Sequence, residues 1–413
     1  MGTNRILLRA LGVEGAVLER VYEEEDGVVL AVRVGWRHRW RCSMCGRRCR
    51  RFDRTPRLRR WRALDIGRRR CWVEASLPRV WCPEHGRRVA AVPWARRESR
   101  FTRSFEDTVA WLAARMSRTA VTRLMRITWR SVTRIVERVV TELRSRTNLL
   151  EDLEVIGIDE ISYKKGHKYL TIVVDHRRNR LIYAAEGRDR QAVEGFFQAL
   201  GPEGCARLRI VTTDGAAWIQ QVVRSYAPQA QICLDPFHVV QWATDALDQI
   251  RRELWNRLRR SPNPQERQLA KSLKDSRFVL WKASEHHSPR EQAKLAQIRR
   301  LNEPLWRAYL LKEQLRQIVR ARGTAALQAL QAWLAWAQRS RLQPFVELAR
   351  RIRRHLPSLS ATLLLGASNA RIEAVNTRLR LLHRIAFGFH SASAMIAMAY
   401  LTVGKLCPEL PPT

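Results

Sequence analysis

The chain has 413 residues, and its 76 Lys and Arg against 39 Asp and Glu give a formal net charge of +37. Because 46% of the residues are hydrophobic and 15 are Trp, the composition excludes a disordered polycation and indicates a folded protein of about two to four structural units. A positive charge of this size favours a polyanionic partner, since Lys and Arg neutralise phosphates and release condensed counterions. An arginine-rich drift in composition, as in ribosomal proteins, is the alternative.

The sequence contains no pattern for export or membrane insertion. Its first residues, MGTNRILLRALG, lack an apolar segment followed by small residues at a cleavage site. The most apolar stretch, 392–406, is shorter than a bilayer span and contains Lys405. We therefore expect a soluble intracellular protein without a membrane partner and without a disulfide framework.

The N-terminal region, 1–100, combines a metal-site pattern with dense positive charge. Residues 33–100 hold 22 basic and 5 acidic residues interleaved with six Trp. Two pairs have the spacing with which one tight turn chelates Zn2+. These pairs are Cys42-x2-Cys45 and Cys82-x2-His85. We predict a structural zinc finger with four protein ligands, which leaves no open position for catalysis. Isolated buried thiols are the alternative, and Cys49 or Cys71 could replace a ligand.

Between residues 101 and 150, apolar residues at helical spacing predict three helices, with a turn at 126–128 before the last one. The outward face of the third helix offers Arg130, Thr133, Arg134 and Arg138. This order is typical of a helix-turn-helix domain, whose last helix enters the major groove of DNA. A plain three-helix bundle is the alternative, and the neighbouring finger favours DNA binding.

From residue 151 the pattern predicts a mixed α/β sheet. Three apolar runs predict strands at 155–162, 168–175 and 180–187. Further segments predict helices at 190–200 and 217–226 and strands at 209–215 and 230–235. After His238 the chain is predicted to be helical to about residue 357, with a break at SPNP, 261–264.

Two carboxylates lie at predicted strands of this sheet. Asp159 lies in the first strand, and Asp214 ends the strand RIVTTDG, 55 positions later. Carboxylates at the carboxyl edge of one sheet can meet in space and bind Mg2+ while leaving coordination positions for water and phosphate oxygens. The alternative is that either Asp only caps a turn.

A third acid occurs on a predicted helix near the C-terminus. In SNARIEAVNTRLRLLHR, Glu373, Asn376 and Arg380 share one face at positions i, i+3 and i+7, while apolar residues form another face. An acid and two groups suited to phosphate therefore point the same way. An ordinary amphipathic helix would have the same pattern.

Four stretches together resemble the ISL3 family of bacterial insertion-sequence transposases: IGIDEISYKKGHKYLTIVVD, TTDG, CLDPFHVVQW and SNARIEAVNTRLRLLHRIAFGF. The N-terminal CSMCG and WCPEH are similar to that family's zinc finger, which precedes its helix-turn-helix. The resemblance covers nearly the whole chain and implies a ribonuclease-H-like α/β catalytic core, 151–245 and 361–413, with an all-helical insertion at 246–360. One departure is Ala374, where Gly is expected; its Cβ should not abolish metal binding.

The resemblance also implies roles for individual residues. Asp159, Asp214 and Glu373 are expected to be the Asp-Asp-Glu triad that holds two Mg2+ or Mn2+ ions. Asp235 and His238 match a D-x2-H signature found between the second and third acids of several transposase families. A core histidine is the alternative reading of His238.

The predicted insertion is rich in tryptophan. Its Trp residues are Trp255, Trp281, Trp306, Trp333 and Trp336. Insertions in other transposase families carry aromatic residues that stack on unpaired bases, which suggests the same role here. Packing between helices is the alternative.

The implied function is a DNA transposase of the bacterial cytoplasm, associated with the nucleoid. It is expected to bind the terminal inverted repeats of an insertion sequence as at least a dimer, cut the ends, and join the 3'-hydroxyls to target DNA with two metal ions. The alternatives are a DNA-binding regulator that has lost the chemistry and a divalent-metal nuclease without strand transfer.

Overall fold

A computed structural model describes residues 3–53, 57–164, 166–273, 276–367 and 370–410. The chain forms two compact units, of which one is Met1–Leu149 with Leu381–Thr413 and the other is Leu150–Arg380. The first unit contains a four-stranded mixed sheet, a three-stranded antiparallel sheet and a group of helices. The second unit contains a five-stranded mixed sheet and many helices.

The first unit begins with a helix and a four-stranded sheet. These elements are α1 (Thr3–Ala10), β1 (Ala16–Glu24), β2 (Gly27–Val34), β4 (Arg57–Ile66) and β5 (Arg69–Leu77). The strand order is β1-β2-β5-β4, with β2 and β5 parallel. Leu30 and Val73 are fully buried in its core. Trp61 meets Trp94 edge to face there, with ring centroids 5.7 Å apart.

A smaller antiparallel sheet carries the second half of the predicted finger. Its strands are β3 (Arg50–Arg51), β6 (Arg79–Cys82) and β7 (Gly86–Val89), in the order β3-β6-β7. A single 3-10 turn, Trp36–His38, precedes this sheet in the chain. The short hairpin between β6 and β7 places Cys82 opposite Gly86.

Three helices follow in the order predicted for 101–150. They are α2 (Arg103–Ala113), α3 (Arg118–Met125) and α4 (Trp129–Arg146). The side chains of Thr102, Ser117 and Thr128 each accept a backbone N–H at the helix starts, which satisfies donors that have no partner within a helix. Arg126 ends α3 in the left-handed conformation, with φ 54°, and forms the predicted turn.

Buried ion pairs fix α4 against α2 and the segment before it. Glu106 on α2 has no exposed surface and accepts hydrogen bonds from Arg138 at 2.6 and 2.8 Å and from Ser99 at 2.7 Å. Arg96 bonds both Glu106, at 3.3 Å, and Glu142 of α4, at 2.5 Å. Because a buried carboxylate is costly without partners, these contacts specify how the helices pack.

The C-terminal segment differs from the prediction. We expected 361–413 to belong wholly to the catalytic core, but Leu381–Thr413 belongs to the first unit. There α16 (Ala392–Thr402) packs on α4, and the Arg144 guanidinium lies 4.1 Å from the Tyr400 ring centroid. The reason is that α16 is almost entirely apolar and needs a surface to cover it. Neither α16 nor any other helix in the described ranges is long and apolar enough to cross a membrane.

The second unit contains the predicted mixed sheet. Its strands are β8 (Val155–Lys164), β9 (Lys168–Asp175), β10 (Arg180–Glu186), β11 (Ile210–Thr213) and β12 (Gln231–Leu234), in the order β10-β9-β8-β11-β12. The first three strands form an antiparallel meander, and β11 is parallel to both β8 and β12. The connecting helices are α5 (Arg190–Arg207), kinked at Gly201, and α6 (Ala217–Tyr226).

A continuous group of helices follows β12. They are α7 (Pro236–Arg259), α8 (Pro264–Leu273), α9 (Ser276–Trp281), α10 (Pro289–Leu301), α11 (Glu303–Arg320), α12 (Thr324–Arg339), α13 (Gln343–Arg354) and α14 (Leu356–Leu365), and then α15 (Ala370–Ile385). Helices α7 to α14 share one apolar core. The Thr362 hydroxyl of α14 donates to the backbone carbonyl of Leu234 at 2.8 Å, which ties this core to the edge of the sheet.

The tryptophans of the predicted insertion serve mainly as core. Trp333 is fully buried and donates its indole N–H to a backbone carbonyl at 2.9 Å. Trp306 stacks on Tyr309 with centroids 5.3 Å apart, and Trp255 and Trp336 also pack against the apolar core. These contacts favour helix packing over the suggested base stacking.

At Gly157, a side chain of α15 comes very close to the backbone of β8. A Cβ at this position would lie 2.0 Å from Cδ1 of Ile372, 2.5 Å from Nε2 of His176 and 2.7 Å from Oγ1 of Thr212. Atoms cannot approach so closely, so glycine is required here by space and not by backbone conformation. The absence of a side chain at Gly157 therefore lets α15 lie directly on the sheet.

We expect Gly157→Ala to lower the free energy of unfolding by about 1–3 kcal/mol, because α15 must move away from β8 to accommodate the methyl group. Thermal denaturation of the full chain measures this loss. Ile372→Val removes the nearest atom, so the double variant should recover part of it. A single variant as stable as the wild type would contradict the close approach.

Candidate functional site

Three aspartates lie in a row at one edge of the five-stranded sheet. The last residue pairs of the two parallel ladders are Gly157–Thr212 and Thr213–Leu234. Continuing these registers sets Asp214 beside Asp159 on one side and beside Asp235 on the other. Since neighbouring strands are about 4.8 Å apart, the three carboxylates share a small region of the sheet edge.

Each of the first two aspartates also makes local hydrogen bonds. Asp159 accepts the backbone N–H of Glu160 at 2.7 Å through Oδ1, and the side-chain amide of Asn376 at 2.7 Å through Oδ2. Asp214 accepts the N–H of Ala216 at 3.0 Å through Oδ1. Asp214 therefore caps the turn before α6, which was the alternative interpretation of the sequence. Its position beside Asp159 also allows the two carboxylates to share a cation.

Glu373 enters the same region from α15. Partial burial raises its pKa, and the negative charge of Asp235 and then of Asp159 raises it further, while His238 and Arg380 act in the opposite direction. Burial likewise raises the pKa of Asp159, with a further contribution from the charge of Asp214. The acids therefore influence one another electrostatically, as groups that could share a cation would.

The position of Asn376 corrects one prediction. We expected it to face DNA together with Glu373 and Arg380, but only 5% of it is exposed, and its amide donates to Asp159. The α15 face that carries Asn376 is covered because Ile372 docks on Gly157. Its buried Oδ1 has no hydrogen-bond partner among the described residues. An unpartnered amide oxygen beside carboxylates is a donor set that fits a hard divalent cation such as Mg2+.

Asp235 and His238 form a carboxylate–imidazole pair at the start of α7. Asp235 is buried, accepts the backbone N–H of Phe237 at 3.3 Å, and lies 3.0 Å from Nδ1 of His238. The hydrogen bond to Asp235 raises the pKa of His238. About a third of the imidazole is exposed, so His238 is not a core histidine.

Glu160, which follows Asp159 directly, was not among the predicted site residues. Its side chain is 5% exposed and pairs with Arg188 at 2.6 Å, and burial raises the pKa of Glu160 to about 7. Its other oxygen, Oε1, has no hydrogen-bond partner in the described part of the chain. Two consecutive acids in so basic a chain are the sequence signal that could have drawn attention to it.

The four predicted zinc ligands of the finger come together in the structure. The ligand atoms of Cys42, Cys45, Cys82 and His85 all lie within 4.8 Å of one another. The Cys45 and Cys82 sulfurs are 3.7 Å apart, and His85 Nδ1 lies 3.5 Å from the Cys82 sulfur. Tetrahedral zinc with bonds of about 2.3 Å separates two sulfurs by about 3.8 Å, so the spacing fits this metal.

The local backbone explains why these residues converge. Gly46 adopts φ 70° and donates its N–H to the Cys42 carbonyl at 2.9 Å, which closes the first chelating turn. The hydrogen bond from His85 lowers the pKa of Cys82 to about 6, which favours the thiolate form that binds metal. Of the two cysteines left open by the sequence, Cys71 is buried in the large sheet and Cys49 lies outside the four-residue cluster.

The third helix of the helix-turn-helix presents its predicted residues unequally. Arg130 and Arg134 are exposed, and Thr133 is half-buried, with its hydroxyl donating to the Trp129 carbonyl at 3.3 Å. Arg138 instead bonds the buried Glu106 and stabilises the helix packing. We therefore correct the predicted DNA-contact set by leaving out Arg138, whose guanidinium is already engaged.

Comparison with known proteins agrees with these features. Residues 156–399 match the DDE family of ISL3 type described as "Transposase", and residues 90–140 match the "Helix-turn-helix domain of transposase family ISL3". The transposase for insertion sequence element IS1557 of Mycobacterium tuberculosis is 46% identical over 98% of this chain and 97% of its own length. The transposase for IS1001 of Bordetella parapertussis is 27% identical over 94% of this chain and 95% of its own length. The chain therefore belongs to the ISL3 family of insertion-sequence transposases.

Proposed function

We propose that this transposase binds the terminal inverted repeats of its insertion sequence, cuts the element ends and joins the free 3'-hydroxyls to target DNA. The observation that carries this proposal is the row of Asp159 and Asp214 on adjacent parallel strands, with Glu373 brought over it by α15. The antiparallel meander continued by two parallel strands supports a ribonuclease-H-like core. Pairing of two element ends requires at least a dimer on the DNA.

In this mechanism, Asp159, Asp214 and Glu373 would hold Mg2+ or Mn2+. Two such ions would activate the attacking water or 3'-hydroxyl and stabilise the leaving oxygen in an in-line displacement. Asn376 holds the carboxylate of Asp159 in place through its 2.7 Å hydrogen bond. Asp235 orients the imidazole of His238, whose exposed part can hydrogen-bond a phosphate oxygen or the leaving group.

We expect Asp159→Asn, Asp214→Asn and Glu373→Gln each to lower end cleavage at least about 100-fold, because each removes a charged metal ligand. Binding of the terminal repeat should remain within about twofold, since a helix-turn-helix reads duplex DNA without this metal. The measurement uses a labelled terminal-repeat duplex and a supercoiled target, with Mg2+ or Mn2+. The matched control is Glu194→Gln, which removes only an exposed ion pair on α5 and should leave cleavage unchanged.

The products of the same assay distinguish the alternatives. Cleavage without joined products would favour a divalent-metal nuclease, and repeat binding without cleavage under either metal would favour a regulator. Normal cleavage by any one of the three variants would exclude that residue as an essential ligand.

For DNA recognition we propose Arg130, Thr133 and Arg134 of α4, with Arg380 as a phosphate contact near the catalytic acids. We expect Arg130→Ala and Arg134→Ala each to weaken terminal-repeat binding by about 1–3 kcal/mol if the guanidinium reads a base. If it contacts a phosphate, the slope of log K against log salt should instead fall by about 0.9.

Fluorescence anisotropy at several salt concentrations measures both effects on the terminal repeat and on scrambled DNA. Arg146→Ala is the control, because Arg146 lies on the last turn of the same helix and pairs with Glu142. Unchanged affinity and salt slope in both test variants would remove α4 as the recognition helix.

We propose that the metal of the finger is a single structural Zn2+. We expect the full chain to bind one zinc, and Cys82→Ser or His85→Ala to release it, because a tetrahedral site loses most of its affinity with one ligand. Elemental analysis after dialysis measures the metal content. Cys49→Ser, which lies outside the cluster, should retain it. Zinc retained by the ligand variants would show that the cluster is not the metal site.

A further inference from the structure

The small sheet of the finger exposes an ordered face of aromatic and guanidinium groups. On its central strand, Trp81 pairs with Arg50 of β3 on one side and with Arg87 of β7 on the other. Side chains of paired residues on neighbouring strands point to the same face of a sheet. The indole of Trp81 therefore lies between two arginines in a single row.

A second row lies next to the first on the same face. The backbone N–H of Phe52 donates to the carbonyl of Arg79, and the Phe52 ring stacks on Trp81 with centroids 6.3 Å apart and planes 29° apart. The guanidinium groups of Arg87 and Arg79 lie 4.4 and 5.5 Å from the centroid of Phe52. We call the surface formed by Arg50, Phe52, Arg79, Trp81 and Arg87 the finger face.

The finger face is held in place from behind and from the side. Val80 and Cys82, which flank Trp81 and point the other way, are fully buried, and Cys82 belongs to the metal cluster. Asp53 accepts the backbone N–H of Arg79 at 3.0 Å and its Nε at 2.5 Å, which fixes the arginine over the ring. The rings are therefore presented with little conformational freedom to lose on binding.

The exposure of these rings is the feature that needs an explanation. Trp81 is 49% exposed and Phe52 is 38% exposed, although both are large apolar side chains with a stacking partner. Such a patch marks a binding surface more often than an accident of folding. The surrounding segment, 33–100, holds 22 basic and 5 acidic residues, which favours an anionic partner.

We propose that the finger face binds a single unpaired strand of DNA. Exposed bases would stack on Trp81 and Phe52, and the adjacent phosphates would lie against Arg50 and Arg87. Duplex DNA would contact only the arginines of the finger face and not its rings. Its bases are stacked inside the helix, so a flat sheet face reaches only the phosphates. This site goes beyond the proposed function, which assigns duplex recognition to α4, and it would take the strand that becomes unpaired when an element end is opened.

The test uses the full chain and a labelled oligothymidylate of about 15 nucleotides, whose binding is followed by fluorescence anisotropy. We expect Trp81→Ala and Phe52→Ala each to raise Kd for this strand by about 5- to 150-fold. Trp81→Phe keeps a stacking ring and should stay within about threefold of the wild type. Terminal-repeat duplex binding should change much less.

The matched control is Trp36→Ala. Trp36 is 69% exposed and has the Arg37 guanidinium 5.1 Å from its ring centroid, but it lies outside the small sheet. Its loss should leave oligothymidylate binding unchanged. Retained zinc and an unchanged melting temperature establish that each variant is folded.

Arg87→Gln provides a second measurement if Trp81→Ala does not fold. It should weaken oligothymidylate binding and lower the slope of log K against log salt by about 0.7, the value for one phosphate of a single strand. Unchanged affinity in Phe52→Ala and Arg87→Gln would overturn the proposal. An equal loss for the duplex and the single strand would also overturn it, since the finger face would then be a duplex contact.

Discussion

The candidate catalytic site depends above all on the parallel register between β8 and β11. Pairing of Gly157 with Thr212 sets Asp159 and Asp214, which are 55 positions apart in the chain, side by side at one edge of the sheet. Gly157 and Asp159 lie two positions apart on β8 and therefore face the same side of the sheet. This is the side on which α15 docks. A slip of one residue would turn Asp159 to the opposite face and separate it from both other acids. The register therefore fixes the position of the carboxylates and also the helix that brings Glu373 to them.

A second constraint comes from charge. Basic residues outnumber acidic ones by 76 to 39, so each buried carboxylate can recruit several arginines. Glu106 holds Arg96 and Arg138 inside the first unit, and these pairs organise the packing of α2 and α4. Arginines with such partners are structural, whereas exposed ones such as Arg130 remain available to phosphates. In this chain the location of the few acids decides which positive charges can bind DNA.

Sequence patterns predicted the helices and strands better than the contacts that each of them makes with the rest of the protein. The strands of the mixed sheet, the three helices around 101–150 and the convergence of the Cys and His pairs followed from periodicity and from spacing that a single turn can chelate. Asn376 and Arg138 were misassigned because periodicity gives the face of a helix but not what covers that face. Ion pairing of Arg138 with Glu106 and docking of α15 on Gly157 are tertiary events. The placement of α16 on α4 was missed for the same reason, since an apolar helix does not specify its partner.

The electrostatics of the acid cluster explain why these residues suit a cation. Burial raises the pKa of Asp159 and of Glu373, and the charge of neighbouring acids raises both further. The fold thus holds carboxylates where ionisation is unfavourable, despite the large positive charge of the whole chain. Asn376 adds a buried amide oxygen that has no hydrogen-bond partner among the described residues. A divalent cation held by these carboxylates would relieve their mutual repulsion, so the same geometry that costs folding energy would favour binding of a metal.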